Sequence, residues 1–390
     1  MKTSTLYRLS LLILTATLCS IATAQQCPDG ALPTAVVVNW AQFQFGPTHA
    51  GCNPYEFILN TGNVANLTLK WQSNINAITN LGGPAVANGM VYMGSNTPYN
   101  SVYAFSAATG TMVWKYTTGA RIPNATPAVA KGLVYLGGDD GILYALNAST
   151  GALVWKYTTG NSIVGSPAVL NGVVYLGSYD KNVYALNATT GALIWQYTTG
   201  GAIESSPAVG GGSLYIGSEN SVYALDAATG NFLWKYTTGN SVLSSPAVAN
   251  GMVYVGSYDD NVYALNASTG ALVWKYPVGF WILSSPAVVN GVVYVGSLDK
   301  NVYALNASTG ALLWQYTTSD YVFSSPAVAN GVVYVGSHDD NVYAFDATTG
   351  ALLLKYFTGG SVDSSLAVAN GVVYVGSGSH LVQALALPGH

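Results

Sequence analysis

The stretch "SSPAVANGMVYVGSYDDNVYALNASTGALVWKY", residues Ser244–Tyr276, decides the fold. It holds four short runs rich in β-branched and aromatic residues, "SPAVA", "MVYVGS", "NVYALNA" and "ALVWKY", which predict four β-strands. Asn250-Gly251 predicts a two-residue hairpin between the first two strands, because a type I′ turn needs positive φ at both central residues. "NASTG" (266–270) predicts a second turn, in which polar side chains bond the local backbone before a left-handed glycine.

The same unit recurs about every 40 residues along the chain. Its Pro-Ala-Val step begins at Pro84, Pro127, Pro167, Pro207, Pro246, Pro286 and Pro326, and an eighth copy begins at Leu366. Its tryptophan recurs at Trp114, Trp155, Trp195, Trp234, Trp274 and Trp314, and Leu354 replaces it in the seventh copy. A period near 40 residues with four strands per unit predicts the blades of a β-propeller.

The eighth copy, which ends in "LVQALALPGH", lacks a fourth strand. A fitting strand stands in "VANLTLKWQ" (64–72), where Trp71 has the phase of the repeat tryptophan. We therefore predict an all-β, eight-bladed propeller of four-stranded antiparallel blades over residues 64–387. Its N-terminal strand completes the last blade and removes the open edge.

The first 24 residues have the pattern of a secretory signal peptide. Lys2 and Arg8 come before an apolar run and the small-residue site Ala22-Thr23-Ala24. No later apolar run approaches the roughly 18 residues of a membrane-spanning helix. The sequence therefore predicts a secreted or periplasmic protein, monomeric and without a transmembrane segment.

Residues 25–63 form a predicted N-terminal extension, which contains the two cysteines that follow the signal peptide, Cys27 and Cys52. In an oxidising compartment they are expected to form a disulfide, and by the loop-entropy argument it stabilises the fold by about 3 kcal/mol. No C-x-x-C motif is present, so the pairing is interpreted as structural and not as redox chemistry.

The charge balance narrows the class of partner. Only 7% of the residues are charged and 50% are hydrophobic, which predicts a packed chain. Without the signal peptide it carries 10 basic and 16 acidic residues and no basic cluster. This composition argues against nucleic acid and leaves a protein, peptide or glycan as the expected partner.

The run "VYALNASTGALVWKY" (262–276) resembles the repeat of the quinoprotein (PQQ-type) β-propeller superfamily, and the resemblance extends over about residues 40–387. It implies one of two functions. Some members are PQQ-dependent dehydrogenases, which hold the quinone and a calcium ion on the propeller axis. Others are non-enzymatic binding propellers, such as the lipoprotein subunit of the outer-membrane β-barrel assembly machinery.

The sequence departs from both groups. It has no adjacent-cysteine pair, no C-x-x-C-H haem motif and none of the long insertions that cap a quinone pocket. Leu18 precedes Cys19 where a lipobox needs a small residue. We expect a non-enzymatic binding or scaffold propeller with no cofactor or metal. A PQQ-dependent, alcohol dehydrogenase-like oxidoreductase is the alternative, and a rigid surface or matrix protein is a third function.

One face of the ring carries the loops that vary most between copies, and binding residues of repeat folds usually lie on such a face. We call it the loop face. In the loop before each innermost strand, one position is always apolar and is predicted to be core: Ile163, Ile203, Val242, Ile282, Val322 and Val362. By strand alternation, its two neighbours point towards the mouth of the central channel.

These neighbours predict an aromatic rim on the loop face. Trp281, Leu283, Tyr321 and Phe323 come from adjacent copies and are expected to form one patch, next to Phe280. A partner would bind there, as partners often do at exposed apolar patches. The other interpretation is that Phe280 and Trp281 plug the ring as packing.

Charged residues at the same positions are the candidates for chemistry. In the quinoprotein alternative, Trp281 stacks on the quinone, Arg121 lies near its carboxylates and Glu204 or Asp363 is the base. Glu204 and Asp363 come from copies four blades apart, too far for a paired-carboxylate mechanism. His338 and His380 are expected to stand alone. The Asp that recurs on the blade loops (Asp180, Asp259, Asp299, Asp339) is interpreted as a turn residue rather than a calcium ligand or an acid/base.

Overall fold

The computed structural model describes residues 39–75, 82–96, 100–123 and 125–390. The described chain is almost entirely β-structure, with two short 3₁₀ turns at Phe43–Phe45 and Val64–Asn66. Its strands form eight sheets arranged as the blades of a propeller, which confirms the predicted fold class. The part of the chain described contains no helix long and apolar enough to cross a membrane.

Two strands precede the first complete blade, β1 (Cys52–Asn53) and β2 (Thr68–Asn74). Blades 1 to 7 then contain four consecutive antiparallel strands each. Blade 1 has β3 (Ala85–Ala87), β4 (Met90–Ser95), β5 (Ser101–Ser106) and β6 (Met112–Thr117). Blade 2 has β7 (Ala128–Ala130), β8 (Leu133–Gly137), β9 (Ile142–Asn147) and β10 (Leu153–Thr158). Blade 3 has β11 (Ala168–Leu170), β12 (Val173–Gly177), β13 (Asn182–Asn187) and β14 (Leu193–Thr198).

Blade 4 has β15 (Ala208–Gly210), β16 (Ser213–Ser218), β17 (Ser221–Asp226) and β18 (Phe232–Thr237). Blade 5 has β19 (Ala247–Ala249), β20 (Met252–Gly256), β21 (Asn261–Asn266) and β22 (Leu272–Pro277). Blade 6 has β23 (Ala287–Val289), β24 (Val292–Gly296), β25 (Asn301–Asn306) and β26 (Leu312–Thr317). Blade 7 has β27 (Ala327–Ala329), β28 (Val332–Gly336), β29 (Asn341–Asp346) and β30 (Leu352–Phe357).

Blade 8 closes the ring with strands from both ends of the propeller. It contains β31 (Ala367–Ala369), β32 (Val372–Ser377) and β33 (Leu381–Ala386), and β2 is its outermost strand. β2 pairs antiparallel with β33, with Trp71 opposite Ala384. The predicted closure by the N-terminal strand is therefore confirmed. Blade 8 thus has four strands like the other blades, because β2 takes the place of a fourth consecutive strand.

The turns follow the predicted chemistry. Asn250 and Gly251 both have positive φ, 52° and 73°, as a type I′ hairpin requires. In the second turn, the Asn266 side-chain oxygen accepts hydrogen bonds from the backbone N–H groups of Ser268 and Thr269. Asn147, Asn187 and Asn306 make equivalent bonds in their own blades. These asparagines are turn residues, as their recurrence predicts.

The repeat tryptophan joins each blade to the next. Trp274 of blade 5 donates its indole N–H to the Ala307 carbonyl of blade 6 at 2.8 Å, and Tyr254 donates its hydroxyl to the same oxygen at 3.1 Å. The face of the indole lies against Gly310. Blade 8 lacks the Thr-Gly turn that would receive a tryptophan from blade 7, and blade 7 carries Leu354 in its place.

Gly310→Ala tests this contact between blades. A Cβ at position 310 would stand 2.7 Å from the Trp274 ring, in a left-handed backbone with φ of 73°. The matched control, Gly291→Ala, has a similar φ of 77°. Nothing lies within 4 Å of a Cβ at position 291. We expect Gly291→Ala to cost about 1 kcal/mol of unfolding free energy from backbone strain alone, and Gly310→Ala to cost about 2 kcal/mol more from overpacking. Urea denaturation of both variants measures the difference in unfolding free energy. Equal losses of unfolding free energy would contradict the close contact between Gly310 and the Trp274 ring.

Residues 40–53, which we call the axial segment, run inside the ring and contact the innermost strand of every blade. Blades 1 to 3 bond to Trp40, Ala41 and the Gln42 side chain, and blades 4 to 8 bond to Pro47, Thr48, Ala50, Gly51 and the Asn53 side chain. In each case the partner is the second residue of the innermost strand: Val86, Val129, Val169, Val209, Val248, Val288, Val328 and Val368. The axial segment therefore fills one end of the channel.

Two predictions concern residues outside the described ranges. The signal peptide (residues 1–24) and Cys27 both lie there. Cys52 opens β1, which pairs in parallel with the innermost strand of blade 7. The disulfide between Cys27 and Cys52, the boundary of the extension and export of the chain stay predictions.

Candidate functional site

The central channel forms a cup that is closed below by the axial segment. Its cavity of about 380 Å³ is bounded by Phe43 of that segment and by residues that lead into the innermost strands. Because these residues belong to the loop-face ends of the strands, the cup opens on the loop face. A volume of this size falls in the range of small-molecule pockets.

A nearly complete ring of hydroxyl groups, which we call the hydroxyl ring, lines the cup, and Gly83 takes this position in blade 1. The backbone N–H of Ser166 donates to the Ser206 hydroxyl oxygen of the next blade at 2.8 Å. The same bond links Thr126 to Ser166, Ser206 to Ser245, Ser245 to Ser285, Ser285 to Ser325 and Ser325 to Ser365. A hydroxyl has one donor and two acceptor positions, so the ring holds the blades together and keeps hydrogen-bonding capacity for a guest.

Above the hydroxyl ring, the wall consists of side chains that strand alternation predicted to point towards the channel. Leu243, Leu283 and Phe323 come from successive blades and form an apolar arc. Glu204 and Asp363 belong to blades 4 and 8, on opposite sides of the cup, and Val164 completes this layer. The apolar residue before each of them is buried, as predicted.

Both carboxylates of the cup lie beside a residue of the preceding blade. Tyr179 of blade 3 lies close to Glu204, and burial together with this carboxylate raises the pKa of the Tyr179 phenol to about 12. His338 of blade 7 bonds an Asp363 carboxylate oxygen through Nδ1 at 2.9 Å. That hydrogen bond raises the pKa of the His338 imidazole above its usual value.

The His338 contact corrects the expectation that this histidine stands alone. The loop between the second and third strands of one blade lies beside the loop that leads into the next blade. A side chain 25 positions away in the sequence is therefore a direct neighbour. Comparing copies one at a time does not show this pairing.

The first aromatic group on the loop face is a stack of Tyr258, Trp281 and Phe280. The Trp281 ring lies 4.7 Å from Tyr258 and 4.9 Å from Phe280, nearly parallel to both. Trp281 and Phe280 are each 40% exposed, and neither lines the cup. The interpretation that they plug the ring is wrong, because the stack turns Trp281 towards blade 5, and the axial segment closes the channel instead.

The second aromatic group contains Tyr321, Phe323 and His338, with ring centroids 5.8–6.3 Å apart. The Lys300 ammonium lies 5.8 Å from the centre of the Tyr321 ring. Phe323 faces the cup while Tyr321 is exposed outside it. The rim thus carries two aromatic groups on neighbouring parts of the ring, where the sequence predicted one patch.

Arg121 lies on the loop face but binds a residue outside the cup. Its guanidinium forms an ion pair with Asp139 of the same blade. It does not belong to the residues that line the cup.

The recurring aspartates hold their own loops. The Asp259 carboxylate accepts hydrogen bonds from the backbone N–H groups of Asn261 and Gly239 and from the Tyr263 hydroxyl. Asp180, Asp299 and Asp339 bind equivalent groups. The turn interpretation is confirmed. Among the described residues, no group of three or more His, Cys, Asp or Glu side chains could hold a metal ion.

The described part of the cup lining does not fit PQQ. PQQ is a tricarboxylate, which a protein binds with cationic or N–H donor groups. The described lining residues include two carboxylates and no lysine or arginine. Trp281 is already stacked on two rings of this chain, so it does not offer the quinone platform of the dehydrogenase alternative.

Comparisons with known proteins agree with the geometry of the fold. BamB from Moraxella catarrhalis superposes with a TM-score of 0.70 at 20% identity, over 82% of this chain and 99% of that one. The quinohemoprotein alcohol dehydrogenase from Comamonas testosteroni gives a TM-score of 0.78 at 17% identity, over 90% of this chain and 81% of that one. The computationally designed Ika8 protein gives 0.72 at 16% identity, over 80% and 98%.

At these identities the structural matches show the fold alone. No curated protein sequence matches the chain significantly. A family profile described as "Outer membrane protein assembly factor BamB" matches residues 62–202 and 98–241. Another, described as "Beta-alanine-activating enzyme, beta-propeller", matches residues 187–390, more than half of the chain. The chain therefore belongs to the PQQ-like β-propeller superfamily and to the family that carries this second description.

Proposed function

We propose that this protein is a non-enzymatic binding propeller, and that it holds a protein partner on its loop face. The observation that carries the proposal is the cup, which opens between exposed aromatic side chains on the loop face and is closed at its other end by the axial segment. Among the described residues, the loop face is therefore the side from which a partner can approach the channel.

Exposed aromatic side chains support binding at this face. Phe280 and Trp281 are each 40% exposed and Tyr321 is 38% exposed. Aromatic residues are enriched among the few that dominate the binding energy of protein interfaces. Their stacking on Tyr258 and on neighbouring rings holds them in place before a partner arrives, which reduces the entropy lost on binding.

The surroundings of these aromatics favour a protein partner. Lys300 lies over Tyr321 and forms an ion pair with Asp320 at 3.4 Å. Apolar anchors surrounded by exposed charges are the usual anatomy of a protein interface. The BamB family match over residues 62–241 supports the same class of function, since that description names an assembly factor.

Site-specific photo-crosslinking in the producing cell tests the proposal. A photoreactive phenylalanine analogue at position 280 or 321 should give crosslinks to one shared partner. The control carries the analogue at Val154, a residue on an outer strand that is at least as exposed as the two test positions. The purified partner should then bind Trp281→Ala and Tyr321→Ala at least about tenfold more weakly than the parent, as for interface hot spots.

Phe232→Ala is the matched substitution, because Phe232 is a half-exposed aromatic on the outer edge of blade 4. Its affinity should equal that of the parent. The proposal fails if positions 280 and 321 give no specific crosslink, or if the partner is captured equally from position 154.

A further inference from the structure

We propose that the cup binds a neutral pyranose sugar, a six-membered ring that carries several hydroxyl groups. This inference goes beyond the protein-binding function proposed above and does not depend on it. It assigns hydrogen-bond donation to the hydroxyl ring, hydrogen-bond acceptance to Glu204, and contact with the C–H groups of the sugar to the apolar arc.

The hydroxyl ring offers hydrogen-bond donors that the protein itself does not use. Five of its serines are buried and each accepts one backbone N–H from the preceding blade: Ser166, Ser206, Ser245, Ser285 and Ser325. Their hydroxyl hydrogens donate to no acceptor among the described residues. A guest that displaces water from this floor must therefore supply several acceptors, because a buried donor left without one costs free energy.

The wall of the cup selects a neutral guest. Glu204 leads into blade 4 and Asp363 into blade 8, so these carboxylates stand at the two ends of the apolar arc and would repel an anion. A cation brings hydrogen-bond donors but no acceptors for the hydroxyl ring. A hydroxyl group donates one hydrogen bond and accepts two, so it can serve both the ring and Glu204. Asp363 is already bonded to His338, and we assign it no contact with the guest.

The shape of the cup favours a sugar ring over an open-chain polyol. Leu243, Leu283 and Phe323 form one side of the wall, and the small residues Ala125 and Gly165 leave room on another side. A pyranose carries hydroxyls around its edge and C–H groups on its faces, so one face can pack on the arc while the edge reaches the hydroxyl ring. A rigid ring also loses less conformational entropy on binding than an open chain. The cavity of about 380 Å³ is large enough for such a guest.

Saturation-transfer NMR and calorimetric titration test the inference with the methyl glycosides of D-glucose, D-galactose and D-mannose. We expect at least one of them to bind with a dissociation constant of about 1 mM, the affinity typical of a ligand with about 13 non-hydrogen atoms. Tetrahydropyran-2-methanol keeps the ring without its ring hydroxyls, and the uronic acid counterpart of the sugar that binds adds a carboxylate. Both should bind at least about tenfold more weakly.

Variants of the lining locate the site. Ser206→Ala and Ser245→Ala each remove one donor of the hydroxyl ring and should weaken sugar binding about fivefold. Ser205→Ala is the matched control, because this adjacent hydroxyl bonds the Gly217 backbone and does not line the cup, and it should leave binding unchanged. Leu283→Phe keeps every hydroxyl and narrows the cavity, so it should weaken binding at least about tenfold. This variant keeps the test valid if a serine substitution fails to fold.

Glu204→Gln provides a second readout. The amide keeps the size of the side chain and removes its negative charge. The variant should therefore bind the neutral sugar about fivefold more weakly, while it binds the uronic acid no more weakly than the parent does. Equal weakening of both probes would show that Glu204 does not face the guest.

The outcomes separate this inference from the proposed function. No saturable binding of any of the three methyl glycosides would overturn it, as would equally tight binding of tetrahydropyran-2-methanol. Undiminished sugar binding by both Leu283→Phe and Ser206→Ala would place the sugar outside the cup and would overturn it too. Sugar binding without crosslinks from positions 280 and 321 would support the cup as a sugar site while the protein-binding function fails, and the reverse result would support the protein-binding function alone.

Discussion

Trp274→Ala is expected to lower the free energy of unfolding by about 3–5 kcal/mol, the usual cost of removing a buried tryptophan side chain. Trp274 is 8% exposed. The truncation opens a cavity between blades 5 and 6, removes the indole face from Gly310 and leaves the Ala307 carbonyl with one donor fewer. Urea denaturation followed by circular dichroism measures the loss.

The adjacent residue supplies the control for this prediction. Val273 precedes Trp274 on the same strand and is 49% exposed. Val273→Ala should change the unfolding free energy by less than about 0.5 kcal/mol, as surface substitutions usually do. Similar losses for the two variants would mean that the tryptophan does not join the blades energetically.

Blade 7 shows what the tryptophan normally provides. Leu354 replaces it, and the buried Tyr334 hydroxyl has no hydrogen-bond partner among the described residues. In blades 1 to 6 the equivalent tyrosine donates to the next blade. The interface between blades 7 and 8 therefore depends on other contacts. Among these, β1 extends the sheet of blade 7, and the Asn53 side chain donates to the Val368 carbonyl of blade 8.

Acidification is expected to destabilise the protein through His49 of the axial segment. His49 is buried, its Nδ1 lies 3.0 Å from the Pro246 carbonyl, and its ring contacts Phe43. Burial lowers the pKa of the His49 imidazole from 6.5 to about 4. As the pH falls, His49 therefore binds a proton in the unfolded chain at a higher pH than it does in the folded chain.

The sign and the pH window follow from these two values. Stability should fall as the pH drops from about 6.5 to about 4 and level off below that, with a total loss of about 3 kcal/mol from this residue. Unfolding free energies measured across this range should show the loss in the parent and not in His49→Asn. Asparagine tolerates the left-handed φ of 54° at this position and can donate to the same carbonyl.

The comparison with His49→Asn separates the loss of stability caused by His49 from any loss caused by the carboxylates. Hydrogen bonds oppose the desolvation of Asp180 and Asp339 and lower the pKa of each carboxyl below its usual 3.8, so these groups titrate below the window. A pH profile of the same shape in parent and variant would show that His49 is not the source of the acid sensitivity.

Most of the fold could be predicted because its signals are local and repeated. The Asn250-Gly251 turn, the Asn266 turn and the phase of Trp71 each depend on a few consecutive residues, and most copies repeat the same residue types. The direction of Glu204, Leu283 and Phe323 towards the channel also followed from strand alternation alone.

The candidate site was less predictable because its contacts join different copies. Tyr179 lies close to Glu204, and His338 bonds Asp363, across the gap between blades. The variable position after each Gly-Ser pair was the one signal that could have indicated them. The axial segment gave none, since its side chains do not repeat and most of its bonds are made by backbone atoms.

The axial segment determines how many blades the ring has and which blade comes first. Seven consecutive copies are so alike that a blade could exchange places with its neighbour at little cost in its own contacts. Residues 40–53 do not repeat, and successive residues of this segment bond to successive blades in chain order. The segment therefore acts as a template that fits one blade count and one starting blade, and a ring with a copy more or fewer would leave part of it unmatched.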